Sequence, residues 1–247
     1  MIRYQKSEGL TDIPTHYCPG CTHGILHKLV AEVLEEMGLL KETVGVASVG
    51  CSVFSYQYFN TDMTQAPHGR ACAVATGLKR VMPSRTVFTY QGDGDLASIG
   101  IAETIHAANR GENITVIFAN NAIYGMTGGQ MAPTTLKGQV TTTSQDGRDL
   151  LTQGNPIKVS EIFSQIDGVA YLERVSLTNP KNIRNARKAI KKAFTYQNEN
   201  RGFTMIEVLS TCPVNWGVSP KEALEWVDDS MVDIFPLGIF KDVKKDD

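Results

Sequence analysis

Residues 86–95 read TVFTYQGDGD, an apolar run that ends in alternating glycine and aspartate. The run predicts a buried strand over Thr86–Tyr90, followed by a turn and a helix over residues 97–109. The next apolar run, ITVIFA over residues 114–119, has the unbroken pattern of a parallel strand covered on both faces. Together these segments predict one βαβ unit with polar residues at the carboxyl ends of its strands.

The same alternation of strand-like and helix-like segments extends over most of the chain. The further predicted elements are helices over residues 22–37, 71–82, 159–165 and 180–197, and strands over residues 44–49, 171–175 and 203–209. This order predicts an α/β fold with a doubly wound, mostly parallel sheet and helices on both faces. Without a linker or an internal repeat, residues 1–247 are predicted to form a single domain.

Composition excludes several classes of protein. The chain has 247 residues, 42% of them hydrophobic and 20% charged, with a formal net charge of −2. This balance is typical of a globular protein and excludes disorder and a basic nucleic-acid binder. No segment approaches the ~20 apolar residues that span a bilayer. Because the N-terminal residues MIRYQKSEGL lack the apolar core of a signal peptide, we expect a cytoplasmic protein that binds no membrane.

A cation site is predicted where the two central strands end. Asp93 follows the first strand, and Asn121 follows the next strand 28 residues later. Parallel strands end at the same edge of a sheet, so a carboxylate, an amide oxygen and the Ile123 carbonyl could hold Mg²⁺ together. The glycines of this turn permit close approach of a phosphate, and residues 127–129 offer a hydroxyl and free N–H groups. Simple turns at both places are the alternative.

Cysteines form a second candidate constellation. Cys18 and Cys21 are a C-x-x-C pair, and Cys51 and Cys212 lie in loops after strands. Four thiolates at one sheet edge could bind zinc or a [4Fe–4S] cluster, and the pair alone could be a redox dithiol. Cys72 lies on a small-residue helix and is predicted to be a buried packing residue outside this group.

Two stretches do not fit the alternation. Residues 124–156 are rich in Gly, Thr, Gln and Pro without clear periodicity, and such long loops are usually functional or disordered. Residues 220–247 begin with a short helix and continue into the apolar run IFPLGIF over 234–240. A tail this apolar is predicted to be docked, and a subunit contact is its expected role.

The motifs resemble a known family. The spacing from Gly92-Asp93-Gly94 to Asn120-Asn121 resembles the thiamine diphosphate signature, and residues 121–130, NAIYGMTGGQ, are similar to the β subunit of 2-oxoacid:ferredoxin oxidoreductases. The resemblance covers nearly the whole chain. It implies a thiamine diphosphate-binding domain with Mg²⁺ held by Asp93, Asn121 and Ile123.

The resemblance also implies the remaining site residues. It assigns a [4Fe–4S] cluster to the cysteines at 18, 21, 51 and 212, which leaves Cys72 over. The residues expected to bind thiamine diphosphate are Gly50, Cys51, Ser52, His68, Gly94, Asp95, Gly125, Met126 and Thr127. Without the resemblance, His68 would be interpreted as an ordinary loop histidine and Arg70 as a structural ion-pair partner.

The implied activity is oxidative decarboxylation of a 2-oxo acid, with CoA as acyl acceptor and ferredoxin as electron acceptor. An α subunit carrying the pyrimidine-binding domain is the expected partner, with further γ or δ subunits. Val53, Phe54 and the absence of basic residues over 52–58 predict an apolar pocket wall, which favours a branched-chain acid such as 2-oxoisovalerate over 2-oxoglutarate. The alternative is a subunit of a non-oxidative thiamine-dependent decarboxylase with a structural zinc site.

Overall fold

A computed structural model describes residues 5–243 as one sheet flanked by helices. The strands are β1 (Thr43–Ala47), β2 (Asp62–Gln65), β3 (Thr86–Gly92), β4 (Thr115–Asn120), β5 (Val169–Ser176), β6 (Phe203–Leu209) and β7 (Gly238–Asp242). Their order in the sheet is β2-β1-β3-β4-β6-β5-β7, with only β7 antiparallel to its neighbour. The predicted doubly wound, mostly parallel sheet is therefore confirmed.

Helices lie on both faces of this sheet. They are α1 (His23–Glu36), α2 (Ser55–Tyr58), α3 (Ala71–Val81), α4 (Ile101–Asn109), α5 (Leu150–Gln153), α6 (Val159–Ser164), α7 (Pro180–Asn198), α8 (Pro213–Trp216), α9 (Pro220–Trp226) and α10 (Val232–Ile234). Phe88 and Tyr90 of β3 pack with α1 and α7, whereas Val87 packs with α3 and α4 on the other face. Because helices cover both faces, every residue of the strand from Thr86 to Gln91 is buried. No helix within residues 5–243 is long and apolar enough to cross a membrane.

Several elements differ from the sequence prediction. The helix predicted over 97–109 is two pieces, a π-helical turn Gly94–Ile99 and then α4. Strand β2 was not predicted because its residues are polar and partly exposed at the sheet edge. The C-terminal tail also forms an unpredicted strand, β7, which pairs with β5.

The apolar tail docks within its own chain. Phe235 is fully buried against Ala122 and Leu209, and β7 covers the sheet edge. Ile239 and Leu237 remain exposed, so the predicted subunit contact of residues 220–247 stays a prediction. Residues 244–247 of this tail lie outside the described residues.

The sheet places two loops at a topological switch point. From β1 the chain first adds β2 on one side and then β3 on the other. Open α/β sheets bind ligands in the crevice that forms where neighbouring strands diverge in this way, beyond their carboxyl ends. Two loops leave the sheet at this point. Residues 48–52 follow β1, and the turn that begins at Asp93 follows β3.

Candidate functional site

Asp93 is a buried carboxylate at the end of β3. Its side chain is 3% exposed and accepts hydrogen bonds from the Ile123 N–H at 3.2 Å, the Thr134 hydroxyl at 2.8 Å and the Gly94 N–H at 3.1 Å. Burial raises the pKa of Asp93 to about 7, although these hydrogen bonds act in the opposite direction. A buried carboxylate with so high a pKa favours either a proton or a bound cation.

The Asn121 amide shows how a cation would fit. In one orientation its nitrogen donates to Asp93 Oδ2 at 3.3 Å and to the Ile123 carbonyl at 2.7 Å. In the other orientation, its oxygen faces the same two oxygens. Three oxygens directed at one point repel each other unless a cation lies between them, and Mg²⁺ prefers such oxygen ligands. The residues therefore fit the predicted magnesium ion.

A cavity of about 260 Å³ opens beside these oxygens. Every residue predicted to bind thiamine diphosphate or Mg²⁺ lines it: Gly50, Cys51, Ser52, His68, Asp93, Gly94, Asp95, Asn121, Ile123, Gly125, Met126 and Thr127. The residues come from four separate loops. Their shared cavity is consistent with the sequence prediction, while their individual ligand roles remain predictions.

The glycines predicted to bind a phosphate, at residues 92–94 and 127–129, are only partly arranged as expected. Gly94 lies against Tyr124, and an added Cβ would lie 2.9 Å from that ring, so only glycine fits. The N–H groups of Gly128 and Gly129 were expected to be free, which is wrong. They donate to the carbonyls of Gly125 and Tyr124 and close a tight turn instead.

Asp95 is saturated by donors from its own chain. It accepts hydrogen bonds from His68 Nδ1, the Gly69 N–H and Gln91 Nε2, each at 2.7 Å. Because a carboxylate only accepts hydrogen bonds, Nδ1 of His68 carries the proton that it donates to Asp95, and this fixes the direction of the ring. Asp95 therefore orients His68 in the cavity wall. Arg70 pairs with Glu103, as the structural interpretation expects.

The four predicted cluster cysteines line a second cavity of about 230 Å³. All are free thiols, and Cys212 accepts a hydrogen bond from Asn215 Nδ2 at 3.1 Å. Among residues 5–243, no three His, Cys, Asp or Glu side chains lie close enough together to hold a single metal ion. The thiols surround a space instead of meeting at one point.

Gly125 and Cys51 belong to both cavities. A Cβ added to Gly125 would lie 3.2 Å from Cys51 Sγ and 3.3 Å from Cys212 Sγ, so any larger residue would displace the thiols. Burial raises the pKa of Cys51 to about 12 and that of Cys21 to about 11, and the neighbouring thiols act in the same direction. These thiols need a bound cation to become thiolates.

Comparisons with known proteins now decide the family. The model of the thiamine pyrophosphate enzyme C-terminal TPP-binding domain matches residues 46–208. The 2-oxoglutarate synthase subunit KorB of Archaeoglobus fulgidus is 33% identical over 93% of this chain and 85% of its own length. The chain belongs to the 2-oxoacid:ferredoxin oxidoreductase family.

Two further relatives are informative. The ketoisovalerate oxidoreductase subunit VorA of Methanothermobacter thermautotrophicus is 48% identical over 97% of this chain and 50% of its own length. This chain thus spans about half the length of that relative. A solved 2-oxoglutarate:ferredoxin oxidoreductase from Magnetococcus marinus, with 2-oxoglutarate, coenzyme A and succinyl-CoA bound, superposes with a TM-score of 0.79 at 25% identity, covering 96% of this chain and 84% of that one.

Sequence reasoning missed several residues of the site. Thr134, which bonds Asp93, lies in the aperiodic segment 124–156, and nothing in its local pattern marks it. The histidines His16, His23 and His27 carried no signal, yet each shares a hydrogen bond with a tyrosine hydroxyl, and His16 lines the thiol cavity and His23 the larger one. Burial lowers the pKa of His23 to about 4, so this ring is neutral.

Other expectations need correction. Val53 and Phe54 were expected in the pocket wall, but neither lines the larger cavity, and Phe54 packs edge-on against His16. Cys72 is buried as predicted, and it also donates to Gln91 Oε1 at 3.2 Å.

Magnesium binding is expected to release a proton from Asp93 below neutral pH. Because the ion-free pKa is about 7, the carboxyl group must ionise first, and affinity should fall about tenfold per pH unit below pH 6. Calorimetry in buffers of different ionisation enthalpy should record about one released proton per ion at pH 6 and almost none at pH 8. Equal affinities at pH 6 and pH 8 would contradict this assignment.

Arg148 is expected to stabilise the long loop. Its buried guanidinium donates to six backbone carbonyl groups, those of Ala132, Pro133, Thr135, Gln153, Gly154 and Asn155. Arg148→Met should lower the free energy of unfolding by about 3 kcal/mol, since these carbonyls lose their partner. Urea denaturation measures this loss, and Lys137→Met on the exposed side of the same loop should change it by less than ~0.5 kcal/mol. Equal stabilities of the two variants would show that Arg148 is dispensable.

Proposed function

We propose that this chain is the thiamine diphosphate- and [4Fe–4S]-binding part of a 2-oxoacid:ferredoxin oxidoreductase that converts a 2-oxo acid and CoA to acyl-CoA and CO₂ and reduces ferredoxin. The observation that carries the proposal is the shared wall of the two cavities. The cavity with the Asp93, Asn121 and Ile123 oxygens adjoins the cavity with the four thiols at Cys51 and Gly125.

The residues have separate tasks in this proposal. The oxygens of Asp93, Asn121 and Ile123 would hold Mg²⁺. Thiamine diphosphate, when bound, supplies the electron sink for decarboxylation. The thiolates of Cys18, Cys21, Cys51 and Cys212 would hold the cluster, which would supply a one-electron outlet beside this cavity.

A [4Fe–4S] cluster fits the thiol cavity better than a zinc ion. Tetrahedral zinc draws its four sulfurs to about 2.3 Å from one point. The thiols here instead line a space of about 230 Å³, which suits a polynuclear cluster. Stoichiometric zinc with little iron in anaerobically purified protein would favour the non-oxidative decarboxylase instead.

The proposed substrate is a branched-chain 2-oxo acid such as 2-oxoisovalerate. Val49, Ile99 and Met126 give the cavity an apolar wall, and no Lys or Arg is among the described residues that line it. A dicarboxylate such as 2-oxoglutarate would leave its second charge without a partner there. The ketoisovalerate oxidoreductase relative supports the same choice.

The proposal includes an α subunit with the pyrimidine-binding domain, γ or δ subunits, and action in the cytoplasm, where thiols stay reduced. The test is CoA-dependent ferredoxin reduction by the native complex. We expect kcat/KM to be at least tenfold higher for 2-oxoisovalerate than for 2-oxoglutarate. The reverse preference would refute the substrate, and no reduction with either acid would refute the function.

A further inference from the structure

Ala122 has an unusual backbone conformation in the middle of the proposed magnesium site. Its φ of +55° lies in the left-handed region, which residues with a Cβ rarely adopt. The residue stands between Asn121, whose amide lies within reach of Asp93 Oδ2 and the Ile123 carbonyl, and Ile123, which supplies that carbonyl. The direction of these oxygens therefore depends on whatever holds Ala122 in place.

Side chains hold both ends of the Ala122 peptide. Its N–H donates to Asn120 Oδ1 at 3.1 Å. Its carbonyl accepts from the Thr135 hydroxyl at 2.7 Å and from Gln139 Nε2 at 3.0 Å. Asn120 thus holds the N–H group of Ala122, and it can accept this hydrogen bond only while its amide oxygen faces Ala122.

Glu207 determines the orientation of that amide. Asn120 Nδ2 donates to Glu207 Oε1 at 2.8 Å, and both side chains are fully buried. Because a carboxylate accepts and never donates, it draws the amide nitrogen of Asn120 towards itself and leaves the amide oxygen for Ala122. The two residues lie on neighbouring strands, β4 and β6, two positions out of register, since Asn120 stands opposite Leu209 and Glu207 opposite Phe118.

The Glu207 carboxylate is itself fixed by a buried cation. Arg174 Nε on β5 lies 2.9 Å from Glu207 Oε2, and the Ser160 hydroxyl donates to the same oxygen. Arg174 is fully buried, and its other nitrogens donate to Glu161 at 2.6 and 3.0 Å. The C-terminal tail also contacts Arg174, because the carbonyl of Pro236 accepts a hydrogen bond from its guanidinium at 3.1 Å.

We propose that the Arg174–Glu207 pair is a positioning device for the magnesium-binding loop, acting through Asn120 and Ala122. By holding the loop oxygens in one geometry, the pair makes the site selective for Mg²⁺ over Ca²⁺. Mg²⁺ demands near-octahedral ligands at 2.0–2.1 Å, whereas Ca²⁺ accepts irregular sets of six to eight oxygens. The inference rests on the proposed function, because the ion is the one assigned there.

The test replaces the pair by apolar residues of similar size. A buried ion pair exchanged in this way often leaves stability nearly unchanged, so R174M/E207M should fold while Asn120 loses its acceptor. With saturating thiamine diphosphate, R174M/E207M in the native complex should bind Mg²⁺ about tenfold more weakly than the wild-type complex. Its Ca²⁺ affinity should change less than threefold, and calorimetry measures both.

A matched control lies at the opposite end of β4. Glu112 precedes this strand, is 8% exposed and pairs with Arg80 and Arg110. R80M/E112M therefore removes an ion pair, although a more exposed one, without touching the loop, and both cation affinities should stay within twofold of wild type. R174K, which keeps the charge but cannot make the same fork of bonds, provides a milder second variant with about threefold weaker Mg²⁺ binding.

The outcomes separate this inference from the proposed function. Wild-type protein that binds neither the cations nor thiamine diphosphate would refute the function itself. Wild-type binding with an unchanged Mg²⁺-to-Ca²⁺ preference in R174M/E207M would refute the positioning role, as would equal losses in the control. If R174M/E207M does not fold, an unchanged cation preference in R174K refutes the role.

Discussion

Asp93→Asn is expected to abolish thiamine diphosphate binding and to stabilise the cofactor-free protein at the same time. The substitution removes the one charged ligand of the proposed ion, and we expect affinity to fall about 1,000-fold, equivalent to roughly 4 kcal/mol. It also removes a buried carboxylate whose pKa is raised to about 7. Calorimetric titration with thiamine diphosphate and Mg²⁺ measures the first effect, and urea denaturation measures the second.

The gain in stability should depend on pH in a defined direction. The folded pKa of Asp93 lies above its ordinary value of 3.8, so ionisation costs stability as the pH rises towards and through 7. The variant should therefore gain about 4 kcal/mol of stability relative to wild type between pH 4 and pH 8, while the loss of one hydrogen bond subtracts about 1 kcal/mol at both pH values. Nearly wild-type cofactor affinity in this variant would remove Asp93 from the site.

Thr134→Val provides the graded comparison. It removes the hydroxyl that donates to Asp93 but leaves the charge in place. Cofactor affinity should fall about tenfold, and the metal-free protein should lose stability instead of gaining it. Opposite signs of the two stability changes would distinguish removal of a buried charge from general damage to the loop.

Cys51→Ser is the second large effect that we expect. The serine hydroxyl is a poor ligand for iron, so the protein should lose its cluster, its brown colour and at least 99% of its ferredoxin reduction. Thiamine diphosphate should still bind, because the oxygens around Asp93 remain and serine keeps a small polar side chain at this position of the cavity wall. Iron analysis, the visible spectrum, a ferredoxin-reduction assay and calorimetry on the anaerobically purified complex measure these four properties.

Cys72→Ser is the matched control for this experiment. Cys72 is equally a buried thiol with a raised pKa, but it lies outside the thiol cavity and donates to Gln91. A serine hydroxyl can keep that hydrogen bond, so the variant should retain full iron content and activity. Loss of iron in this variant, or a full cluster in Cys51→Ser, would show that the cysteines were assigned wrongly.

Much of the fold could be predicted because its strands are buried on both faces. The mainly apolar segments that became β3, β4 and β6 lie almost entirely in the interior, where the few polar residues they contain, such as Thr89 and Glu207, are buried as well. Prediction failed for β2 and β7, which lie at the edges of the sheet. Edge strands are half exposed and carry mixed side chains, so their pattern resembles that of a loop.

Some residues of the candidate site could be predicted from the sequence, and others could not. Asp93 and Asn121 could be placed together because parallel strands end at one edge of a sheet, whichever residues pack around them. Thr134 could not be found, because its contact with Asp93 spans 41 residues and depends on the course of an aperiodic loop. The N–H groups of Gly128 and Gly129 were expected to be free because a sequence does not show which backbone carbonyls of a turn accept hydrogen bonds from them.

The sequence by itself determined the order of strands and helices, the edge at which the site forms and the residue types that can hold Mg²⁺ and iron. Each of these follows from local periodicity and from the geometry that all parallel sheets share. Only the tertiary structure decided that the two cavities share a wall at Cys51 and Gly125. It also decided that Ala122 is held by a network reaching Arg174, because the contacts of this network join residues as far as 87 positions apart and exist only when all strands are packed at once.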